Sequence, residues 1–354
     1  MVTKGWCFVD RMKKLPGALL PWFEQNQRDL PWRKDKEPYH VWLSEIMLQQ
    51  TRVEAVKGYY LRFLEAIPTV EALAQVEEAQ LMKLWEGLGY YNRARNLKKA
   101  AVEIVTKYGG KFPDTYEQIL TLPGIGEYTA GAIASICFSQ KTPAVDGNVL
   151  RVVARICNDD TPIDTPACKK SVQERLKQIY PDQAGAFTQS LMELGATLCG
   201  PNWAPRCEEC PCAGFCRAYA AGTAEQLPVK SPKKEKKQEQ RTVFVLSCDG
   251  RYALCRRPEK GLLAGLWEFP NVTGALSMQE GVAVIEGWGL KPAQLLKKVQ
   301  RQHIFTHIRW EMTGLYVEVR EPLGDFVWYT ADEIEKQAAL PTAFRQFWEE
   351  INDV

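Results

Sequence analysis

One change of character divides this 354-residue chain and sets what it can fold into. From Leu15 to about Gln226, apolar residues recur at spacings of three and four, as in Val70 to Leu84 and Ala94 to Tyr108. Short Pro and Gly breaks separate these stretches, so the region reads as a succession of amphipathic helices. From Pro228 the chain reads PVKSPKKEKKQEQ, where six basic residues between Lys230 and Arg241 face only Glu235 and Glu239. Such a stretch predicts a basic, flexible linker over 227–241. Beyond it, Thr242 to Leu246 and Tyr252 to Cys255 read as strands joined at an Asp249-Gly250 turn, with a further strand at Phe326 to Tyr329 and a closing helix from Thr342 to Ile351. The expectation is a multidomain chain: an all-α domain over 1–226, then a smaller α/β or α+β domain over 242–354.

The formal charge of +2 does not announce a polyanionic partner, so nucleic-acid binding would rest on local patches and backbone donors. No apolar run approaches the roughly twenty residues that cross a bilayer. Lys4, Asp10, Arg11, Lys13 and Lys14 stand where a signal peptide needs its apolar stretch. These features lead to the expectation of a cytoplasmic protein without a membrane partner. Five of eleven cysteines fall between Cys199 and Cys216, and an odd count without an export signal argues for reduced thiols, some of them ligands. Cys199, Cys207, Cys210 and Cys216 are spaced C-x7-C-x2-C-x5-C. Four thiolates hold either a 4Fe–4S cluster or a structural zinc, and spacing alone leaves the two open.

Three stretches carry candidate chemistry. Leu122 to Ala134, LPGIGEYTAGAIA, breaks at Pro123, turns through Gly124 and Gly126, and starts a small-residue helix near Glu127. Outward backbone N–H groups there form a seat for phosphate, although such a turn between helices is usually only a turn. Asp146 precedes an apolar-periodic helix in PAVDGNVLRVVAR, where the plain reading is an N-cap. Glu45 has apolar neighbours that would raise its pKa, yet Glu45, Gln49 and Arg52 also fall at the spacing of a solvated helical stripe.

Taken together, LPWRKDKEPYHVWLSEIMLQQTRV, LPGIG-x-YTAGA and VDGN-x-LR-x-x-AR resemble the MutY family of helix-hairpin-helix adenine DNA glycosylases. The resemblance implies base-excision repair: hydrolysis of the N-glycosidic bond of adenine mispaired with 8-oxoguanine or guanine. By resemblance Glu45 is the general acid that protonates adenine. Asp146 stabilises or traps the oxocarbenium-like sugar, and Asn148 orients it. Lyase relatives such as endonuclease III carry a lysine where this chain has Tyr128, and a phenol forms no Schiff base, so the implied enzyme is monofunctional. Arg33, Gln50, Thr51, Leu88, Tyr90, Gly124 and Gly126 become candidate DNA contacts; Gln50, Leu88 and Tyr90 would enter the duplex. The same context selects a 4Fe–4S cluster for the four cysteines (loop 199–216) and double-stranded DNA as the partner of a monomer. Two departures stand out: seven residues, not six, separate the first two cysteines, and Cys212 lies inside the last interval as a competing ligand.

Gly261 to Pro270, GLLAGLWEFP, resembles the start of a Nudix-type domain. Only Glu280 and Glu286 occur between Pro270 and Leu290, too few for a pyrophosphatase that binds hard cations. In the family this domain reads 8-oxoguanine through Phe-Ser-His. Phe305, Thr306 and His307 stand at the matching place here, and Thr306 keeps the hydroxyl. The rival readings are a bifunctional endonuclease III-like glycosylase/lyase, a damage-binding protein without catalysis and, third, a nucleotide pyrophosphatase.

Overall fold

The computed structural model describes residues 11–201, 203–232 and 235–351. Lys4, Asp10, Lys233 and Lys234 therefore lie outside the described residues. The chain divides into two compact units, Met1–Gln75 with Asn96–Pro232, and Val76–Arg95 with Lys233–Val354. This differs from the expected 1–226 boundary in two ways. Residues 76–95 group with the C-terminal unit, and the break in the chain falls after Pro232.

The first unit is helical: α1 (Leu15–Asn26), α2 (Pro38–Leu48), α3 (Val53–Ala66), α4 (Val70–Gln75), then, past the inserted segment with α5 (Glu78–Leu84), α6 (Asn92–Tyr108, continuing from the other unit), α7 (Tyr116–Leu120), α8 (Glu127–Phe138), α9 (Gly147–Cys157), α10 (Pro166–Lys177), α11 (Ala184–Thr197) and α12 (Arg217–Ala220). Val149, Val152, Val153 and Ile156 of α9 bury against Phe187, Leu191 and Leu194 of α11 and Leu15 and Leu19 of α1. Each such side chain contributes about 1.5–3 kcal/mol by leaving water. Gly195 permits this approach, because a Cβ there would lie 2.6 Å from that of Asn148.

The expected linker is mostly structure. Leu227 is buried with Ala218 and Ala224, Val229 accepts a hydrogen bond from the Ile163 N–H at 3.1 Å, and Ser231 N–H donates to Asp164 at 3.0 Å. Its far end is the start of β1 (Lys237–Cys248), earlier than Thr242. The polar start of β1 is held by parallel pairing with β6 (Ile308–Val319), in register from Lys237 opposite Ile308 to Ser247 opposite Glu318. Long-range pairing overrides the local polarity there.

Seven strands form the sheet of the second unit, adding β2 (Arg251–Arg256), β3 (Trp267–Glu268), β4 (Asn271–Thr273), β5 (Pro292–Ile304) and β7 (Val327–Thr330). The order is β3-β2-β1-β6-β5, with β4 on β1 and β7 on β2. Central β1 is apolar on both faces: Val243 and Val245 meet α14 (Ala331–Gln337) and α15 (Thr342–Glu349), while Phe244 and Leu246 meet α13 (Met278–Gly287). A strand covered on both sides reads as the continuous apolar run TVFVL. Glu280 is spent on the capping box of α13, its carboxylate accepting from Ser277 N–H at 2.7 Å.

Candidate active site

Pro38 opens α2 at a position where a missing N–H costs nothing. The helix packs against α3 and α8, which buries Tyr39 and Val41 through Met47. Glu45 is carried inside with them and is 7% exposed, so it is not part of a solvated stripe. It faces a cavity of ≈ 670 Å³, within the range of ligand pockets. Asp146 and Asn148 from the start of α9 line the same cavity, as do Tyr128 and Gly126 from the start of α8. Arg33, Gln50 and Thr51 line it too. Gln50 follows the end of α2 with φ 60°, a left-handed position that usually selects Gly or Asn.

Burial pushes the Glu45 carboxyl up to about 7; a hydrogen bond from Tyr128 opposes this, the charge of Asp146 adds to it, and Arg33 opposes it. The Tyr128 hydroxyl donates to Glu45 Oε2 at 2.6 Å. Asp146 is both an N-cap and a cavity residue. Its Oδ1 accepts from Val149 N–H at 2.8 Å and its Oδ2 from the Asn148 amide at 2.7 Å. Burial raises the Asp146 pKa, and those two donors, with the charge of Arg151, pull against it. The network continues inward: Arg151 donates to Asn148 Oδ1 at 2.8 Å, to Gly195 O at 2.6 Å and to Cys199 O at 2.8 Å.

The sequence reading missed Glu193. This α11 carboxylate is fully buried beside the cavity, yet its pKa is lowered: burial would raise it, but bonds from Arg28 and then Arg33 prevail. Arg28 binds it through Nε at 2.7 Å and Nη2 at 2.9 Å, and Arg33 through Nη2 at 2.8 Å. Arg33 thus lines the cavity with its guanidinium already engaged. No local pattern in the sequence pairs residue 193 with residues 28 and 33. One cavity therefore holds a buried carboxyl poised near neutrality and a second buried carboxylate that two arginines keep ionised.

At the hairpin, Gly124 has φ +75° and a Cβ there would meet the Asn96 side chain at 2.5 Å, so both backbone and space require glycine. Gly126 is the N-cap of α8. Leu88, Tyr90, Phe305, Thr306 and His307 all belong to the second unit. Phe305, Thr306 and His307 form the turn between β5 and β6 rather than part of a strand. Phe305 packs on His303 and Trp310, leaving Thr306 and His307 exposed. The Tyr90 and Thr306 hydroxyls are 3.3 Å apart.

Cys199, Cys207, Cys210, Cys212 and Cys216 line a second, small cavity in the helical unit. Arg155 donates to Cys199 Sγ at 3.2 Å, and the Cys216 thiol donates to Arg155 O at 3.4 Å. Burial raises the pKa of Cys207, and Cys216, Cys210 and Cys199 beside it add to the rise. Cys212 is 1% exposed and belongs to the hydrophobic core around α9. Among the described residues no three His, Cys, Asp or Glu side chains are grouped so as to hold a metal ion. Nor, among them, is any helix long and apolar enough to cross a membrane.

Residues 43–181 match the family described as HhH-GPD superfamily base excision DNA repair protein, and residues 242–350 match the NUDIX domain. A solved thermostable thymine-DNA glycosylase superposes with a TM-score of 0.54 at 28% identity, covering 60% of this chain and 98% of its own. Fold and site thus define a DNA N-glycosylase of base excision repair, joined to a Nudix-type domain. The human adenine DNA glycosylase is 35% identical, covering 93% of this chain and 72% of its own length. For the rat adenine DNA glycosylase the figures are 34%, 93% and 76%, and for that of Arabidopsis thaliana 37%, 87% and 57%. This chain belongs to the adenine DNA glycosylase family.

Proposed function

We propose that this enzyme hydrolyses the N-glycosidic bond of adenine opposite 8-oxoguanine, and less readily opposite guanine, without cutting the strand. The observation that carries the reading is the convergence of Glu45 and Asp146 on one cavity, with Glu45 buried and raised to about 7. In its protonated form Glu45 donates to a ring nitrogen of the extruded adenine, turning a poor leaving group into a neutral one. Ionised Asp146 lies beside the sugar and stabilises the oxocarbenium-like charge as the C–N bond breaks; water then completes the hydrolysis. Tyr128 holds Glu45, and Asn148, braced by Arg151, holds Asp146. Backbone N–H groups about Gly124 and Gly126 seat a phosphate, the exposed Gln50 and Tyr90 enter the duplex while Leu88, expected beside them, is buried, and Thr306 reads the partner base.

Cys199, Cys207, Cys210 and Cys216 would hold a 4Fe–4S cluster, which ties the C-terminal loop of the helical unit together and takes no part in hydrolysis. Their shared cavity and mutual electrostatics support that donor set. Cys212, packed in the core, is left outside it. The protein acts as a monomer on mispaired duplex DNA.

Single-turnover adenine release from duplexes with adenine opposite 8-oxoguanine, guanine or thymine, with and without alkali, tests the reading. The expected order is 8-oxoguanine, then guanine, then thymine, with strand breaks only after alkali. Breaks without alkali would instead favour a lyase, for which Lys169 at the cavity brings an amine that Tyr128 lacks.

A further inference from the structure

We infer that Val76–Arg95 works as part of the recognition unit, and that Glu86, clamped between Lys83 and Arg345, is the positioning residue that sets Tyr90 against Thr306. This rests on the proposed reading of the partner base and deepens it. The segment interrupts the helical unit in sequence, yet it clusters with Lys233–Val354 in space. Polar contacts fix both of its ends there. At the N-terminal end, Lys83 Nζ donates to Ala338 O at 3.1 Å and pairs with Glu86 at 2.6 Å. Glu86 Oε1 accepts from Leu340 N–H at 2.9 Å and faces Arg345 at 3.6 Å. At the other end, Arg95 donates to Ala264 O at 2.7 Å and pairs with Glu78 at 2.8 Å. Lys83 and Glu86 side chains are only 20% and 16% exposed, so these pairs are not ordinary surface bridges.

Between the two ends the chain takes an unfavourable path. Gly87, Gly89 and Tyr90 have φ of 91°, 68° and 48°. A tyrosine held left-handed is strained, and such a residue stays put only where its surroundings over-determine it. Arg93 supplies the inner part of that restraint, donating to Leu88 O at 3.0 Å and Gly89 O at 3.1 Å while lying over the rings of Trp85 and Tyr90. Glu86 supplies the outer part, because it fastens the base of the loop to Arg345 of α15 and to the Leu340 N–H. The result is an exposed Tyr90 whose hydroxyl meets that of Thr306. Thr306 is fixed in turn by Lys236, which donates to Phe305 O at 2.8 Å, and by Lys237 N–H, which donates to His307 O at 3.0 Å. A shift of the loop base by an ångström would break the 3.3 Å contact and move both groups relative to the base they address.

The test uses full-length Glu86→Gln and Arg345→Met. Adenine release is measured in single turnover opposite 8-oxoguanine and opposite guanine. The ratio of the two rates should fall about tenfold in each variant, while the rate opposite guanine stays within about twofold of the parent. In a Thr306→Val background, Glu86→Gln should add little, because both changes cut the same link. An unchanged ratio, an equal fall of both rates, or additive effects with Thr306→Val would overturn the inference while leaving the adenine chemistry intact. A parent enzyme with no preference for 8-oxoguanine would overturn both this inference and the reading of Thr306.

Discussion

The two cavities of the helical unit share one helix and place opposite demands on it. One is large, ≈ 670 Å³, and holds carboxylates whose pKa values are driven apart. The other is small, ≈ 20 Å³, and is lined by five cysteines. Asp146 caps the N-terminus of α9 at the first, and Arg151 and Arg155 further along α9 reach Cys199 at the second. Burial acts on like groups according to the charges that meet them. Where a carboxyl has no cation of its own, as Glu45, burial leaves it near neutrality; where two arginines meet it, as Glu193, it stays charged. At Cys207 burial and the neighbouring thiols act in the same direction, and both raise its pKa.

The sharpest way to break the contrast is at Asp146. Asp146→Asn keeps the cap and removes the charge, and adenine release should fall about 10³-fold or more with duplex binding retained. Undiminished turnover in that variant would end the two-carboxylate mechanism.

Glu45→Gln should slow release by about 10²–10⁴-fold, the loss of a positioned acid. The same change tests the burial argument through stability. Glu45 has a folded pKa raised from 4.5 to about 7, so its proton is bound more tightly in the folded state. Folding is therefore penalised as pH rises from about 4.5 to 7, reaching about 3 kcal/mol above that window. Glu45→Gln should be more stable than the parent at pH 8 by that order and nearly equal at pH 4. Denaturant titrations giving the same difference at both pH values would contradict the assigned shift.

At the other cavity, Cys207→Ser should lower bound iron and the Tm together, whereas Cys212→Ser should leave the iron content unchanged. Iron analysis and visible absorption check this, and zinc in the parent would replace the cluster assignment. The smallest effect concerns Tyr128. Adenine release should decline as pH rises through about 7, because the acid loses its proton. Tyr128→Phe removes a bond that lowers the Glu45 pKa, so this limb should move to higher pH. A pH–rate profile moving the other way would show that the phenol does something else.

Much of this is legible in the sequence. The apolar spacing of three and four marks the helices, and the run TVFVL marks a strand, whose burial on both faces only the sheet's neighbours decide. Glu45, Asp146 and the glycines of the hairpin stood out through short motifs, since their geometry is local. Strands β5 and β6 were passed over. β5 reads PAQLLKKVQRQHI and is largely exposed, so it lacks the alternation that marks a half-buried strand. The stretch around Leu227 and Val229 reads as linker because two apolar residues among polar and charged ones give no periodic signal.

The amino-acid order alone determined the repertoire: which groups are acids, which are thiols, which turns demand glycine, and where helix gives way to sheet. Tertiary structure decided their states. Whether Glu45 keeps a proton while Glu193 loses one depends on arginines 160 and more positions distant in the chain. Whether residues 76–95 belong with the helices or the sheet depends on partners at 334–345. Desolvation and charge pairing act through space, and no local pattern carries the address of a distant neighbour.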